Sequence, residues 1–122
     1  MKLLVTLGAL FGGLGVAAGA FGAHALRTQL EPRMLEVFET GVRYQMYHAL
    51  AVLAAAWLWQ QTSATAAQVA GWAFVVGILL FSGSLYAMAF TGVRAWGAVT
   101  PLGGAAFILG WVALALAAAR LN

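Results

Sequence analysis

Cysteine is absent from the 122-residue chain, which removes disulfide frameworks and thiolate chemistry and leaves the redox compartment open. Charge is nearly as scarce. Six lysines and arginines and three acidic residues make up 7% of the chain, against about 25% in soluble domains. A net charge of +3 spread so thinly offers no basic face for nucleic acid, and no nucleic-acid partner is expected. What fills the chain is apolar: 64% of residues are hydrophobic and the mean hydropathy is +0.93. This is the composition of a membrane protein.

No Asp, Glu, Lys or Arg interrupts residues 3–26, 44–93 or 95–119. A spanning helix needs about 20 apolar residues, so the outer runs accommodate one helix each and the middle run two. A lipid-facing backbone must satisfy its own hydrogen bonds, and the alternating segments of about ten residues that mark a barrel are missing. The expectation is an all-α, four-helix transmembrane bundle forming a single domain over 1–122, with helices at about 3–26, 44–59, 66–90 and 101–119. The start, Met1-Lys2 followed by an apolar run with Ala18-Gly19-Ala20, imitates a secretory signal. Its apolar stretch exceeds a signal core of about 7–15 residues, so it is read as a retained first helix.

Between the first two helices lies RTQLEPRMLEVFETGVR, residues 27–43, which holds Arg27, Glu31, Arg33, Glu36, Glu39 and Arg43. Pro32 suits a first helical position, and Met34, Leu35, Phe38 and Val42 then share a face. The segment predicts a short amphipathic interfacial helix over about 32–40, a Glu39–Arg43 pair four residues apart and a bend at Thr40-Gly41. The first helix carries Gly8, Gly12, Gly15, Gly19 and Gly22 on one stripe and Gly13, Ala17, Ala20 and His24 on another. Small residues let membrane helices approach closely, so this helix is expected to pack between neighbours. The fourth carries Gly103, Ala106, Gly110, Ala113 and Ala117, and Thr100-Pro101 reads as its cap and first turn. Trp57, Trp59 and Trp72 bracket the turn at 60–63, as an aromatic belt would.

Four up-down helices gather the remaining polar residues at one end. His24, Arg43, Tyr44, Gln45, His48, Ser82, Ser84, Tyr86 and Arg94 form the expected polar cluster, with His24 and His48 at depths differing by only about 3 Å. Tyr44, Tyr47 and Trp96 read as interface anchors. The simplest role for the histidines is hydrogen bonding across a helix contact. A site for a small ligand, lipid headgroup or proton follows from the cost of ionisable groups in a bundle. Haem or metal ligation by the two histidines is a further alternative, although no close-spaced ligand motif is present. Arg94 has no nearby carboxylate in sequence and needs water, phosphate, helix-end carbonyls or a glutamate of the other polar loop. Lys2 and Arg120 flank one side of the bundle and Arg27, Arg33, Arg43 and Arg94 the other, which places the termini on the non-cytoplasmic side.

GAFGAHAL, FETGVRYQMYHALAVL and FSGSLYAMAFTGVRAWGAVTPLGGAAFILGW, taken together, resemble the domain-of-unknown-function family 423, small bacterial inner-membrane proteins with a eukaryotic relative called transmembrane protein 256. The resemblance spans nearly the whole chain and implies a four-helix membrane protein of the inner membrane. It assigns no activity, substrate or catalytic residue. No nucleophile and base pair, phosphate loop or redox motif stands in the sequence. The function expected is therefore non-enzymatic and cofactor-free: binding or assembly through the polar end, with membrane lipid, a second copy of the chain or another membrane protein as partner. The alternative is a small oligomeric transporter or channel component.

Overall fold

A computed structural model describes all 122 residues as helices and connecting turns, with no strand. The helices are α1 (Lys2–Leu26), α2 (Pro32–Thr62), α3 (Thr65–Thr91) and α4 (Thr100–Ala118), the last entered through a 3₁₀ turn at Arg94–Ala98. Three segments, Lys2–Leu26, Thr65–Thr91 and Arg94–Ala118, are long and apolar enough to cross a bilayer.

The remaining helix corrects the sequence reading. Instead of an interfacial helix over 32–40, a bend and a short second helix from 44, one helix of 31 residues runs from Pro32 to Thr62. Pro32 sits in its first turn, where the missing N–H goes unnoticed. Thr40 does not turn the chain: it lies inside the continuous helix, where its hydroxyl donates to the Glu36 carbonyl at 2.9 Å and so does not compete for the backbone. Gly41 is a contact point: a Cβ there would lie 2.8 Å from the Tyr86 ring. The helix ends at Ser63, whose φ of 55° is left-handed and whose N–H closes on the Trp59 carbonyl at 2.7 Å. Gly92 ends α3 in the same way, with φ +71°.

Thr100 is likewise not a cap. Val99 precedes it in helical conformation, and the Thr100 hydroxyl lies 2.6 Å from Ser84 Oγ, tying α4 to α3. Arg43 donates to Thr40 Oγ1 at 3.2 Å instead of pairing with Glu39.

Packing sets the directions of the helices. Leu4, near the start of α1, is fully buried in one cluster with Ala70 and Phe74 of α3, and a Cβ on Gly71 would strike it. At the other end of α1, Gly22 faces Phe38 of α2. Ala117, at the end of α4, clusters with Leu58, Ala64 and Ala67 beside the α2–α3 turn. Hence α1 and α3 run parallel, α2 and α4 run against them, and both termini lie at the α2–α3 turn.

Small residues make these approaches possible. Cβ atoms on Gly77 and Gly110 would overlap the Phe107 and Phe74 rings, and one on Gly103 would overlap the Phe81 backbone. Along α1, Gly8 meets Leu53 and the Ala49 carbonyl, Gly15 meets Met46, Gly19 meets Val42 and Gly22 meets Phe38, while Gly12 sits more loosely over Ala49. That stripe lies on α2. The second stripe, Gly13, Ala17, Ala20 and His24, is exposed, so within one copy of the chain α1 has a neighbour on one side and not on both.

Candidate functional site

The buried polar side chains are Gln45, His48, Ser82 and Ser84. Each fastens one helix to another or closes a local turn. Gln45, from α2, donates to the Phe11 carbonyl of α1 at 2.7 Å and accepts from the Tyr86 hydroxyl of α3 at 2.6 Å, so one amide joins three helices. Ser82 of α3 donates to the Gly41 carbonyl of α2 at 2.7 Å. Ser84 reaches the Phe81 carbonyl at 2.9 Å as well as Thr100. No buried polar side-chain atom lacks a partner.

The geometry also fixes the state of His48. Its Nδ1 lies 2.7 Å from the Tyr44 carbonyl, which can only accept, so Nδ1 carries the hydrogen. Nε2 is then the acceptor for the Trp111 indole N–H at 3.0 Å. The ring stacks on Phe107 with centroids 3.5 Å apart and planes 7° apart. Both nitrogens are committed within the protein and both faces of the surrounding cage are aromatic, with Phe74 and Tyr44 completing it. The lone pair that would bind a metal or haem iron is already used. No group of three or more His, Cys, Asp or Glu side chains converges anywhere in the fold.

The expected polar cluster is therefore divided. Gln45 and Tyr86 meet, Ser82 and Ser84 hold α3 to its neighbours, and His48 points into the α3–α4 side with Trp111. His24 does not join His48: it is exposed on α1, whereas every partner of His48 belongs to α2, α3 or α4. Arg43, Tyr44 and Arg94 are exposed. Tyr44 nevertheless packs its ring against Phe81, with centroids 4.6 Å apart. Glu39 and Arg43 line a small hollow against Gly19 and Ala23 of α1.

The largest concavity is elsewhere. A groove of about 610 Å³ runs between α1 and α3 over the face of α2. Phe11, Leu14, Ala18, Gly22, Ala25 and Leu26 form one wall, Ile78, Leu79, Gly83, Tyr86 and Phe90 the other, and Phe38 and Gln45 the floor. Its surface is almost entirely apolar. Leu14, Leu79, Gly83 and Phe90 are exposed, so the groove opens sideways, away from the bundle. Each wall contains a π-helical turn, Ala18–Gly22 in α1 and Ile78–Ser82 in α3, a local widening that is rare and often found at functional sites.

Gly83 contributes by what it lacks. A Cβ there would have nothing within 4 Å, although glycine inside a helix costs about 0.5–1 kcal/mol relative to alanine. No packing contact requires this glycine, and its missing side chain leaves space in the groove. Sequence reading singled out none of Phe11, Leu14, Ile78, Gly83, Phe90 or Trp111, and it named Ala18 and Phe38 only for a signal-like stretch and for the apolar face of an amphipathic segment. The legible hints were the small residues Ala18, Gly22, Ala25 and Gly83, three of them in the signature stretches GAFGAHAL and FSGSLY.

Residues 18–104 match the family model described as "Protein of unknown function (DUF423)". The chain is 45% identical over 121 residues to the UPF0382 membrane protein YwdK of Bacillus subtilis, covering 98% of each chain. It is 46% identical over 116 residues to the UPF0382 membrane protein SSP2132 of Staphylococcus saprophyticus, covering 95% of this chain and 96% of that one. With a UPF0382 membrane protein of Haemophilus influenzae the identity is 47% over 113 residues, 91% of this chain and 89% of the relative. No solved structure matches the chain.

Proposed function

The chain belongs to the DUF423 family, whose curated relatives are named membrane proteins, and from that premise we propose that it crosses the inner membrane four times and binds a lipid hydrocarbon chain in the groove between α1 and α3. The crossing number rests on connectivity. If α1 and α3 cross in parallel, the chain between them must return through the bilayer, and α2 is that return. Its 31 residues extend about 46 Å, more than the roughly 30 Å hydrocarbon core. Its first turns, with Arg33, Glu36 and Glu39, then stand in the headgroup layer. Its lower hydropathy follows from its central position, because Gln45 and His48 turn their polar atoms to neighbouring helices and not to lipid. The excess of arginines at 27, 33, 43 and 94 over Lys2 and Arg120 favours a cytoplasmic polar end and external termini.

The single observation that carries the binding role is the groove: apolar, laterally open and about 610 Å³ in volume. In a bilayer such a space is filled by hydrocarbon, and its dimensions along α1, from Phe11 to Leu26, amount to about 22 Å. That is on the scale of one leaflet, half of a core of roughly 30 Å, plus part of the headgroup layer. Binding is favoured over transport because the buried polar groups are all partnered, which leaves none to line a water or ion path. It is favoured over catalysis because the one buried histidine has both nitrogens engaged.

Two measurements test these readings separately. The chain has no cysteine, so single substitutions Gln29→Cys and Ser63→Cys can be labelled in intact cells with an impermeant maleimide; Ser63→Cys should react from outside and Gln29→Cys only after permeabilisation. Reaction of both from one side rules out the crossing by α2. A fatty-acyl diazirine lipid incorporated into nanodiscs with the purified protein should label groove residues, and Gly83→Leu should suppress that labelling. Labelling spread evenly over the lipid-facing surface, unchanged by Gly83→Leu, defeats the groove assignment.

A further inference from the structure

The mouth of the groove carries a chemistry that its walls do not. The walls end at Leu26 on α1 and Phe90 on α3, the last turns of both helices. The chain leaves one wall directly into Arg27 and the other, through Gly92, into Arg94. Both arginines are exposed. Those on α2 have acidic residues close by on their own helix: Arg33 shares a hollow with Glu36 and Arg43 one with Glu39. The turn Arg94–Ala98 has no acidic residue within it or in the ten residues on either side. Both walls of an apolar slot thus run on, at the same end of the bundle, into a segment carrying an exposed arginine, a charge pattern complementary to that of an anionic lipid.

We propose that the groove selects lipids bearing an anionic phosphate headgroup, with the acyl chain between α1 and α3 and the phosphate held by Arg27 and Arg94. This rests on the groove reading above. Guanidinium groups suit the task because their forked donors match phosphate oxygens in pairs. A lysine would supply the charge without the fork. The Gln45–Tyr86 link closes the polar part of the floor, so the headgroup is confined to the mouth and cannot follow the chain inward. Glu31, in the turn after Arg27, opposes a second negative charge and favours a headgroup with one.

The test uses the full chain in nanodiscs with two photoreactive probes, phosphatidylglycerol and phosphatidylcholine, each carrying a diazirine near the end of one acyl chain. Capture is read by mass spectrometry of the labelled peptides. A cationic residue near the surface is worth roughly a fivefold preference, so the parent should capture phosphatidylglycerol up to about thirty-fold more than phosphatidylcholine. Arg27→Gln with Arg94→Gln should bring capture of phosphatidylglycerol down to that of phosphatidylcholine, which itself falls much less, because both lipids carry the phosphate but only the first carries a net negative charge. Arg27→Lys with Arg94→Lys should restore part of the preference, and melting curves of both variants should match the parent because the two side chains are exposed. Equal capture of the two lipids at groove residues overturns the headgroup selection while leaving the groove reading in place. Labels outside the groove overturn both. Loss of the preference on adding inorganic phosphate at constant ionic strength identifies a site for the free anion and overturns the lipid assignment.

Discussion

Gln45 offers the sharpest test of the packing argument, because its two hydrogen bonds connect three helices. Replacing it with leucine removes the 2.7 Å bond to the Phe11 carbonyl and the 2.6 Å bond from Tyr86. The carbonyl keeps its place in the α1 ladder, and the interhelical bond lost there is worth about 0.6 kcal/mol on average. The Tyr86 hydroxyl has no such reserve, and stranding it costs about 1–3 kcal/mol. Gln45→Leu should therefore destabilise the fold by about 1.5–3.5 kcal/mol. Tyr86→Phe alone strands the Gln45 carbonyl oxygen in a residue that is 5% exposed, a penalty again of about 1–3 kcal/mol. In the double variant neither group is left unmatched, so its loss should fall short of the sum by about 1–2 kcal/mol. Reversible unfolding in mixed dodecyl maltoside and dodecyl sulfate micelles, followed by tryptophan fluorescence, measures all three. Additivity within about 0.5 kcal/mol would show that the amide and hydroxyl do not share a bond, and the three-helix link would have to be abandoned.

Three other outcomes follow from the same contacts. Gly110→Leu, whose side chain would collide with Phe74, should lose about 1–3 kcal/mol to overpacking, whereas Gly13→Leu, with open space around it, should melt like the parent; equal losses would mean that the α3–α4 contact is not close. His48→Ala strands the Trp111 N–H and should cost about 1–3 kcal/mol, His24→Ala should stay within about 0.5 kcal/mol of zero, and the pair should add, so a measured coupling would bring the two imidazoles back into one site. Gly83→Leu should be as stable as the parent or more so, gaining up to about 1 kcal/mol of helix propensity, and a large loss would show that the groove wall has no room.

Hydropathy alone led to helices and to the membrane, because runs free of charge over 3–26, 44–93 and 95–119 admit few alternatives. The continuity of α2 was harder to read. Six charged residues in 27–43 look like an interfacial segment, and only the packing of Gly41 on Tyr86 and the back-bonded Thr40 reveal that the helix passes straight through. Gln45, Ser82 and Tyr86 were recognisable as polar residues at a common depth, but not as specific pairs. His48 was misleading for a different reason: its partner Trp111 is 63 residues away and resembles an ordinary lipid-facing tryptophan. The groove left least trace, since it is bordered by the missing side chain at Gly83 and by two widened turns. Neither feature has a periodicity that sequence patterns register.

Those widened turns have a consequence for how the chain tolerates changes in length. A π turn is an α turn holding one surplus residue, so Ala18–Gly22 and Ile78–Ser82 are places where a single-residue deletion can be absorbed with the helix on either side still in phase. Anywhere else in α1 or α3 the same deletion would swing everything beyond it through about 100° and bring Leu26 or Phe90 out of line with the opposing wall. Shortening at either widened turn should leave a folded protein whose lateral slot is pinched shut, separating the architecture of the bundle from the space it encloses.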